Sequence, residues 1–182
     1  MTYYGGKELA ASFTLVRGNT IAVAEDIPES QYGFKATPDT RTVGQSLVHV
    51  AFGPGFQTHI HGNGINDLMK VNFPQLAAAA AAEEAKPRTK AEIIGLLRSE
   101  GEKFASYLEG LPEALLAERV AMPPGTDPAT KSRFEMLLSV KEHEMHHRAQ
   151  LMVVERMLGV VPHLTRQRQE RFAQAQAQPT RH

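Results

Sequence analysis

The sequence predicts an all-α protein built as a four-helix bundle. Four segments repeat apolar residues at the steps of three and four that give a helix one apolar face, and each is bounded by capping residues or by Gly and Pro. No stretch sustains the period-two alternation of a half-buried strand, so no sheet is expected, and helices of this kind bury their apolar faces against one another. At roughly 150 residues per domain, the 182 residues read as a single bundle domain over residues 1–164 followed by a polar C-terminal tail over 165–182. A chain of this length buries roughly 70% of the surface its unfolded form exposes, and an apolar fraction of 42% supplies the core without disulfide staples.

The first helix is expected from Lys7 to Asp26, where Leu9, Phe13, Val16, Thr20 and Ala24 share a face, and Pro28 ends it. Ile27 to Asp39, rich in Gly, Pro and polar residues, reads as a loop. The second helix starts near Thr42 and carries Val43, Leu47 and Val50 on one stripe, with His49, Phe52, Phe56 and Ile60 on an adjoining one. Gly53-Pro54-Gly55 is expected to kink it or locally unwind it. Leu76 to Glu84, with its six consecutive alanines, reads as either a short helix or a compliant linker.

Thr89-Lys90-Ala91-Glu92 has the form of a capping box and opens the third helix, which runs through Ile93, Leu97, Phe104 and Leu108 to Gly110 and Pro112. Leu115 and Leu116 mark a short helical turn, and Pro123-Pro124-Gly125 is a break. The fourth helix begins either at Asp127 and Pro128 or at the Ser132 to Glu135 capping box, and ends at Gly159. The remainder, TRQRQERFAQAQAQPTRH, lacks an apolar stripe and is expected to be a frayed helix or a disordered tail.

Composition narrows the function classes. Twenty basic and twenty acidic side chains cancel, which removes the long-range field that draws proteins to phosphate backbones, so nucleic acid is not an expected partner. The start, MTYYGGKELAASF, lacks the basic residues and apolar run of a signal peptide, and no segment approaches the roughly 18 to 20 apolar residues of a membrane span. The expectation is a cytoplasmic protein with no membrane partner. With no Cys, a side-chain metal site must use imidazole and carboxylate, which directs attention to the eight histidines.

Two of them, His143 and His147, are four apart in the fourth helix. That spacing separates them by roughly 6 Å along the axis and about 40° around it, so both rings can reach one ion. Met136, Val140, His143, His147, Leu151, Val154 and Leu158 follow helical steps, which places both histidines on the core-facing stripe. Two imidazoles on an apolar seam need partners for their nitrogens, and one metal ion would satisfy both; hydrogen-bonded core histidines are the alternative. His49, on the stripe with Phe52 and Phe56, is a candidate third ligand or a satisfied core histidine. His59 lies roughly 15 Å further along the helix, and with His61 it reads as part of a solvated helix end, while His163 and His182 default to surface or capping roles. Glu142 and Glu144 are expected in solvent, Glu144 pairing with Arg148 for a few tenths of a kcal/mol, unless one of them orients an imidazole.

His49, combined with the His-x-x-x-His-Arg-x-Gln pattern of His143-Glu144-Met145-His146-His147-Arg148-Ala149-Gln150, resembles the DinB-like metal proteins. The resemblance covers about Lys7 to Leu158, and the histidine constellation is its specific part. It implies a four-helix bundle, commonly a homodimer, in which His49, His143 and His147 bind a divalent metal ion such as zinc or nickel, with His146 and Arg148 outside the ligand set. The pattern often has Gly where Ala149 stands, a small departure at a tight helix contact. Some members of the family resemble thiol-dependent transferases or isomerases that activate mycothiol, bacillithiol or glutathione on the metal. The implied partners are therefore a small-molecule substrate and a low-molecular-weight thiol, which a chain without Cys must take from outside. Three neutral imidazoles suit this role, because they leave the ion a net charge and an open position.

Two other readings belong beside this one. His143-Glu144-Met145-His146-His147 also spells the His-Glu-x-x-His motif of zincin hydrolases, with Glu144 as general base and Glu155 or Glu170 as a further ligand. The other is a stress-related bundle whose metal is structural. Tyr32 and Phe34 of the first loop, together with the alanine-rich segment, are expected to shape the substrate pocket.

Overall fold

The computed structural model describes residues 4–177. In chain order the helices are α1 (Gly6–Asp26), α2 (Val43–Gly62), α3 (Phe73–Ala85), α4 (Lys90–Glu109), α5 (Glu113–Ala117), α6 (Arg133–Met157) and α7 (His163–Ala177). The bundle consists of α1, α2, α4 and α6, and side-chain caps fix the starts of the last three. The Thr42 hydroxyl accepts from the Gln45 N–H while the Gln45 side chain accepts from the Thr42 N–H, and Thr89 and Glu92 repeat the exchange at α4. Ser132 caps α6 through the Glu135 N–H, which decides between the two expected starts.

Three features bear on the site, one that the sequence did not predict and two that decide between readings it left open. First, β1 (Arg119–Ala121) and β2 (Thr130–Ser132) form an antiparallel hairpin, with Val120 opposite Lys131. Three residues per strand are too few to display a period, and the pair is held because Val120 packs, fully buried, with Ile60 and Met136. Second, the alanine-rich segment is a regular helix, α3, capped by Asn72 and packed along α2. Third, residues 163–177 are helical, with α7 tied to α1 by an Arg166–Asp26 ion pair at 2.8 Å and a His163–Asn19 contact at 3.0 Å. His182 lies outside the described residues.

Of the kink or local unwinding expected at Gly53-Pro54-Gly55, the unwinding does not occur, and α2 stays helical through the segment. Proline has no N–H, so the carbonyl of Val50, four residues earlier, loses its helical donor. Arg17 of α1 supplies another, its Nη2 donating to the Val50 oxygen at 3.1 Å. The same guanidinium donates through Nη1 to the Leu97 carbonyl of α4 at 2.8 Å. Through Nε and Nη2 it holds the Glu144 carboxylate of α6 at 2.9 Å. One buried side chain thus joins all four bundle helices. Gly101 makes room for it, since a Cβ there would stand 2.9 Å from the Arg17 Cγ.

The apolar core lies on either side of this knot. Val23, Leu47, Val48, Leu97 and Leu151 fill one end, and Leu9, Phe13, Phe104, Leu108 and Leu137 fill the other. Each fully buried aliphatic or aromatic side chain contributes roughly 1.5–3 kcal/mol.

Near the C-terminal end of α6, Glu155 is fully buried and neither carboxylate oxygen has a hydrogen-bond partner. Burial, reinforced by Asp26, pushes its pKa up to about 7 against the pull of Arg166 and Arg156. A raised carboxyl pKa gives stability that is present below the unfolded value near 4.5 and is lost as pH rises through 7. Glu155→Gln cannot ionise. Its stability relative to wild type is expected to improve by about 3 kcal/mol between pH 4.5 and pH 8, measured by urea unfolding across that range.

Candidate metal centre

His49 projects from the middle of α2, and His143 and His147 from successive turns of α6. The His49 and His147 Nε2 atoms each lie 3.1 Å from the Nε2 of His143, and the three ligand nitrogens fall within 4.8 Å of one another. Tetrahedral zinc with Zn–N of 2.0–2.1 Å needs nitrogens roughly 3.3 Å apart, so small adjustments would seat an ion.

The outer contacts dictate which nitrogens are free. His49 Nδ1 is 2.7 Å from the Glu84 carboxylate of α3, an acceptor only, so Nδ1 carries the proton and Nε2 presents a lone pair. Burial opposes ionisation of Glu84, but hydrogen bonds from Arg41 and His49 outweigh it and lower its pKa. On α6 the Gln150 amide nitrogen donates to His146 Nε2, which leaves the amide oxygen to accept from His147 Nδ1 at 3.1 Å. His147 Nε2 is then also unprotonated. Two lone pairs therefore face His143 Nε2, a crowding that a cation at the centre would relieve.

Electrostatics keep the two α6 rings neutral. Desolvation, then His143 and His49, pull the pKa of His147 down to about 4, and His143 is lowered by desolvation followed by His49. Neutral imidazole is the form that ligates metal.

The orientation of α6 differs from the sequence reading by about one residue. Its buried face is Met136, Leu137, Val140, Glu144, Arg148, Leu151 and Glu155, and the two histidines stand at the edge of that face. His143 is open to solvent and His147 half-buried, rather than core-facing. Charged residues are placed in solvent by any periodicity argument, but here Glu144, 1% exposed, is neutralised by Arg17. Arg148 is buried too, donating to the Val16 carbonyl instead of pairing with Glu144 in solvent.

This geometry removes the zincin assignment. Glu144 points into the core with both oxygens held by Arg17, so it is not available as a general base. Glu155 and Glu170 are not in the cluster either. His59 is at the exposed end of α2 as expected, but His61 is buried, hydrogen-bonded to Arg133 and Gln57, and its pKa falls to about 4 from desolvation. His163 is also buried.

An open cavity of about 600 Å³ begins at His49 and His143 and is walled by α2, α3 and α6. The alanine-rich segment lines it as expected; Tyr32 and Phe34 instead pack in the core, the Tyr32 hydroxyl donating to the Ala24 carbonyl. Sequence reasoning missed Glu84, which only the packing of α3 on α2 brings to His49. It also gave Gln150 no role, although a residue three positions after His147 is within reach on one helix face. Carboxylates behind ligating histidines fix ring orientation and typically carry 10–100-fold in metal affinity. Glu84→Ala is expected to weaken zinc binding by that factor, measured by competition with a chromogenic chelator.

The fold is that of several solved structures. A DinB-like protein from Bacillus subtilis (YjoA) superposes with a TM-score of 0.61 at 20% identity, covering 84% of this chain and 92% of its own. YfiT from Bacillus subtilis, described as a probable metal-dependent hydrolase with an unusual four-helix bundle topology, gives 0.67 at 13% identity over 88% and 91%. An uncharacterised protein from Clostridium difficile 630 gives 0.64 at 14% identity over 86% and 98%. No curated protein matches the chain significantly. Residues 12–151, which include all three histidines of the cluster and most of the bundle, match the family model of the DinB superfamily, and the chain belongs to that superfamily.

Proposed function

We propose that His49, His143 and His147 bind one divalent metal ion, zinc or nickel, and that the centre is the reactive site of an enzyme. In this reading the enzyme transfers or isomerises a small molecule with the help of a low-molecular-weight thiol. The observation that carries it is the convergence of three ring nitrogens, two with their protons drawn away by Glu84 and Gln150, at the end of an open cavity. When bound, the ion would supply a Lewis acid that brings the pKa of a coordinated thiol or water toward neutrality. The chain's own residues would orient the rings, through Glu84 and Gln150, and exclude water along the apolar cavity walls. With no Cys, the nucleophilic thiol is external.

Hydrolysis is the second reading, favoured by the description of YfiT as a probable metal-dependent hydrolase. It does not run through Glu144, which Arg17 engages. The test is turnover by zinc- or nickel-loaded protein, with thiol consumption and product followed in parallel. Mycothiol, bacillithiol or glutathione is supplied with a chloroarene electrophile, and activated esters are supplied without thiol. Thiol-dependent turnover that disappears in His143→Ala supports the first reading, and thiol-independent ester cleavage with the same loss supports the second. A fully metallated protein that does neither, and whose metal does not exchange, overturns both in favour of a structural metal.

A further inference from the structure

We infer that the substrate carries an uncharged apolar arm, an alkyl chain or aryl ring, directly beside the group held at the histidine centre, and that the alanine run of α3 sets the size of that arm. The inference rests on the metal reading above for the position of the polar group, and on the cavity alone for the arm.

Small-molecule sites are cavities of roughly 300–1,000 Å³, mostly apolar, with a few convergent polar groups at one place. The cavity of about 600 Å³ has this form, with His49 and His143 at one end and Phe52, Phe56, Phe73 and Val140 among its walls. The two carboxylates at its rim are already engaged. Glu84 is held by His49 and Arg41, and Glu83 by Lys86 and Arg88, so neither offers an uncompensated charge to a ligand. The walls therefore favour hydrocarbon and disfavour a charged group.

The composition of α3 indicates why the space exists. A helix that only needed to be buried against α2 would carry large apolar side chains on its inner face. Here Ala77, Ala79 and Ala80 face the cavity, and their methyl groups leave it open. Enlarging one of them would subtract volume from the cavity without touching a histidine.

The full-length zinc-loaded protein, titrated calorimetrically with n-alkyl hydroxamates from acetohydroxamate to octanohydroxamate, tests this. The hydroxamate group occupies the metal and the tail probes the cavity. Affinity is expected to rise roughly fourfold per methylene until the cavity is full. Ala80→Phe is expected to flatten that rise while leaving acetohydroxamate affinity and zinc content unchanged. Ala78→Leu, on the same helix but outside the cavity lining, keeps it. No rise in the wild type, or a rise that survives Ala80→Phe, overturns the inference.

If the protein takes up no zinc, or if acetohydroxamate does not bind the zinc it holds, the reading of an open, reactive metal centre has failed. The arm is then tested separately by n-alkyl alcohols displacing a naphthalene fluorophore from metal-free protein, where the same chain-length gain and the same loss in Ala80→Phe support it and no gain overturns it. A chain-length series that is flat in a wild-type dimer, with dissociation of that dimer by Ala80→Phe in sedimentation, assigns the cavity to a second copy of the chain and also overturns the inference.

Discussion

Replacing His143 with Ala is expected to weaken zinc or nickel binding by more than about 100-fold, beyond the range produced by changing residues behind the ligands. His143 is the middle member of the cluster, with its Nε2 3.1 Å from each of the other two. Its loss leaves His49 and His147 as a two-nitrogen site. The effect has a second readout in stability. A ligand at 100 times its Kd stabilises the folded state by about 2.7 kcal/mol, which for a chain of this size is a Tm rise of roughly 5–10 °C. Saturating zinc should give that rise in the wild type and none in His143→Ala. Glu142→Ala, which removes an exposed α6 side chain outside the cluster, should keep it.

The other large effect lies in the core. Glu144→Leu leaves the Arg17 guanidinium, 3% exposed, without its counter-charge, and breaking a buried pair from one side costs about 3–5 kcal/mol. Urea unfolding should show that loss. Arg17→Met is expected to be at least as damaging, because it also leaves the Val50 carbonyl that Pro54 cannot serve without a donor. Since an ion pair replaced whole by apolar groups is often neutral, Glu144→Leu combined with Arg17→Met should recover much of the single-mutant loss, less the share belonging to Val50. Metal affinity should fall in Glu144→Leu as well. Glu144 sits between the two α6 histidines and fixes the rotation of the helix that presents them, although it touches neither the cluster nor the cavity. A variant that lost stability but bound zinc with wild-type affinity would separate the knot from the site.

These two results rest on features of different visibility. The caps at Thr42 and Thr89 are local, so the starts of α2 and α4 could be read within four residues of sequence, whereas the sequence leaves the start of α6 between Asp127 and Ser132 and the structure chooses Ser132. The His143–His147 spacing is equally local. His49 entered through its place on a helical stripe and through resemblance, and the fold then brought it to the other two.

The rotation of α6 was not legible, because periodicity assigns carboxylates to water and knows nothing of an arginine 127 positions away. Arg17, four residues after Phe13 and three before Thr20, stands on the buried face of α1, but only the four-helix arrangement gives its donors Glu144, Leu97 and Val50. Glu84 was hidden for the same reason: its function depends on how an alanine helix lies along α2. The continuity of α2 through Pro54 is a further case. Proline's missing donor is visible in the sequence, but the replacement comes from another helix.

Three imidazoles from α2 and α6 are expected to form one metal site. X-ray absorption at the metal edge of the stoichiometrically loaded wild-type protein tests it most directly. The predicted spectrum shows one ion per chain with three imidazole nitrogens in its first shell, at about 2.0–2.1 Å for zinc, and loses one imidazole in His49→Ala. A first shell dominated by carboxylate oxygen, or a spectrum unchanged when His49 is removed, would contradict it.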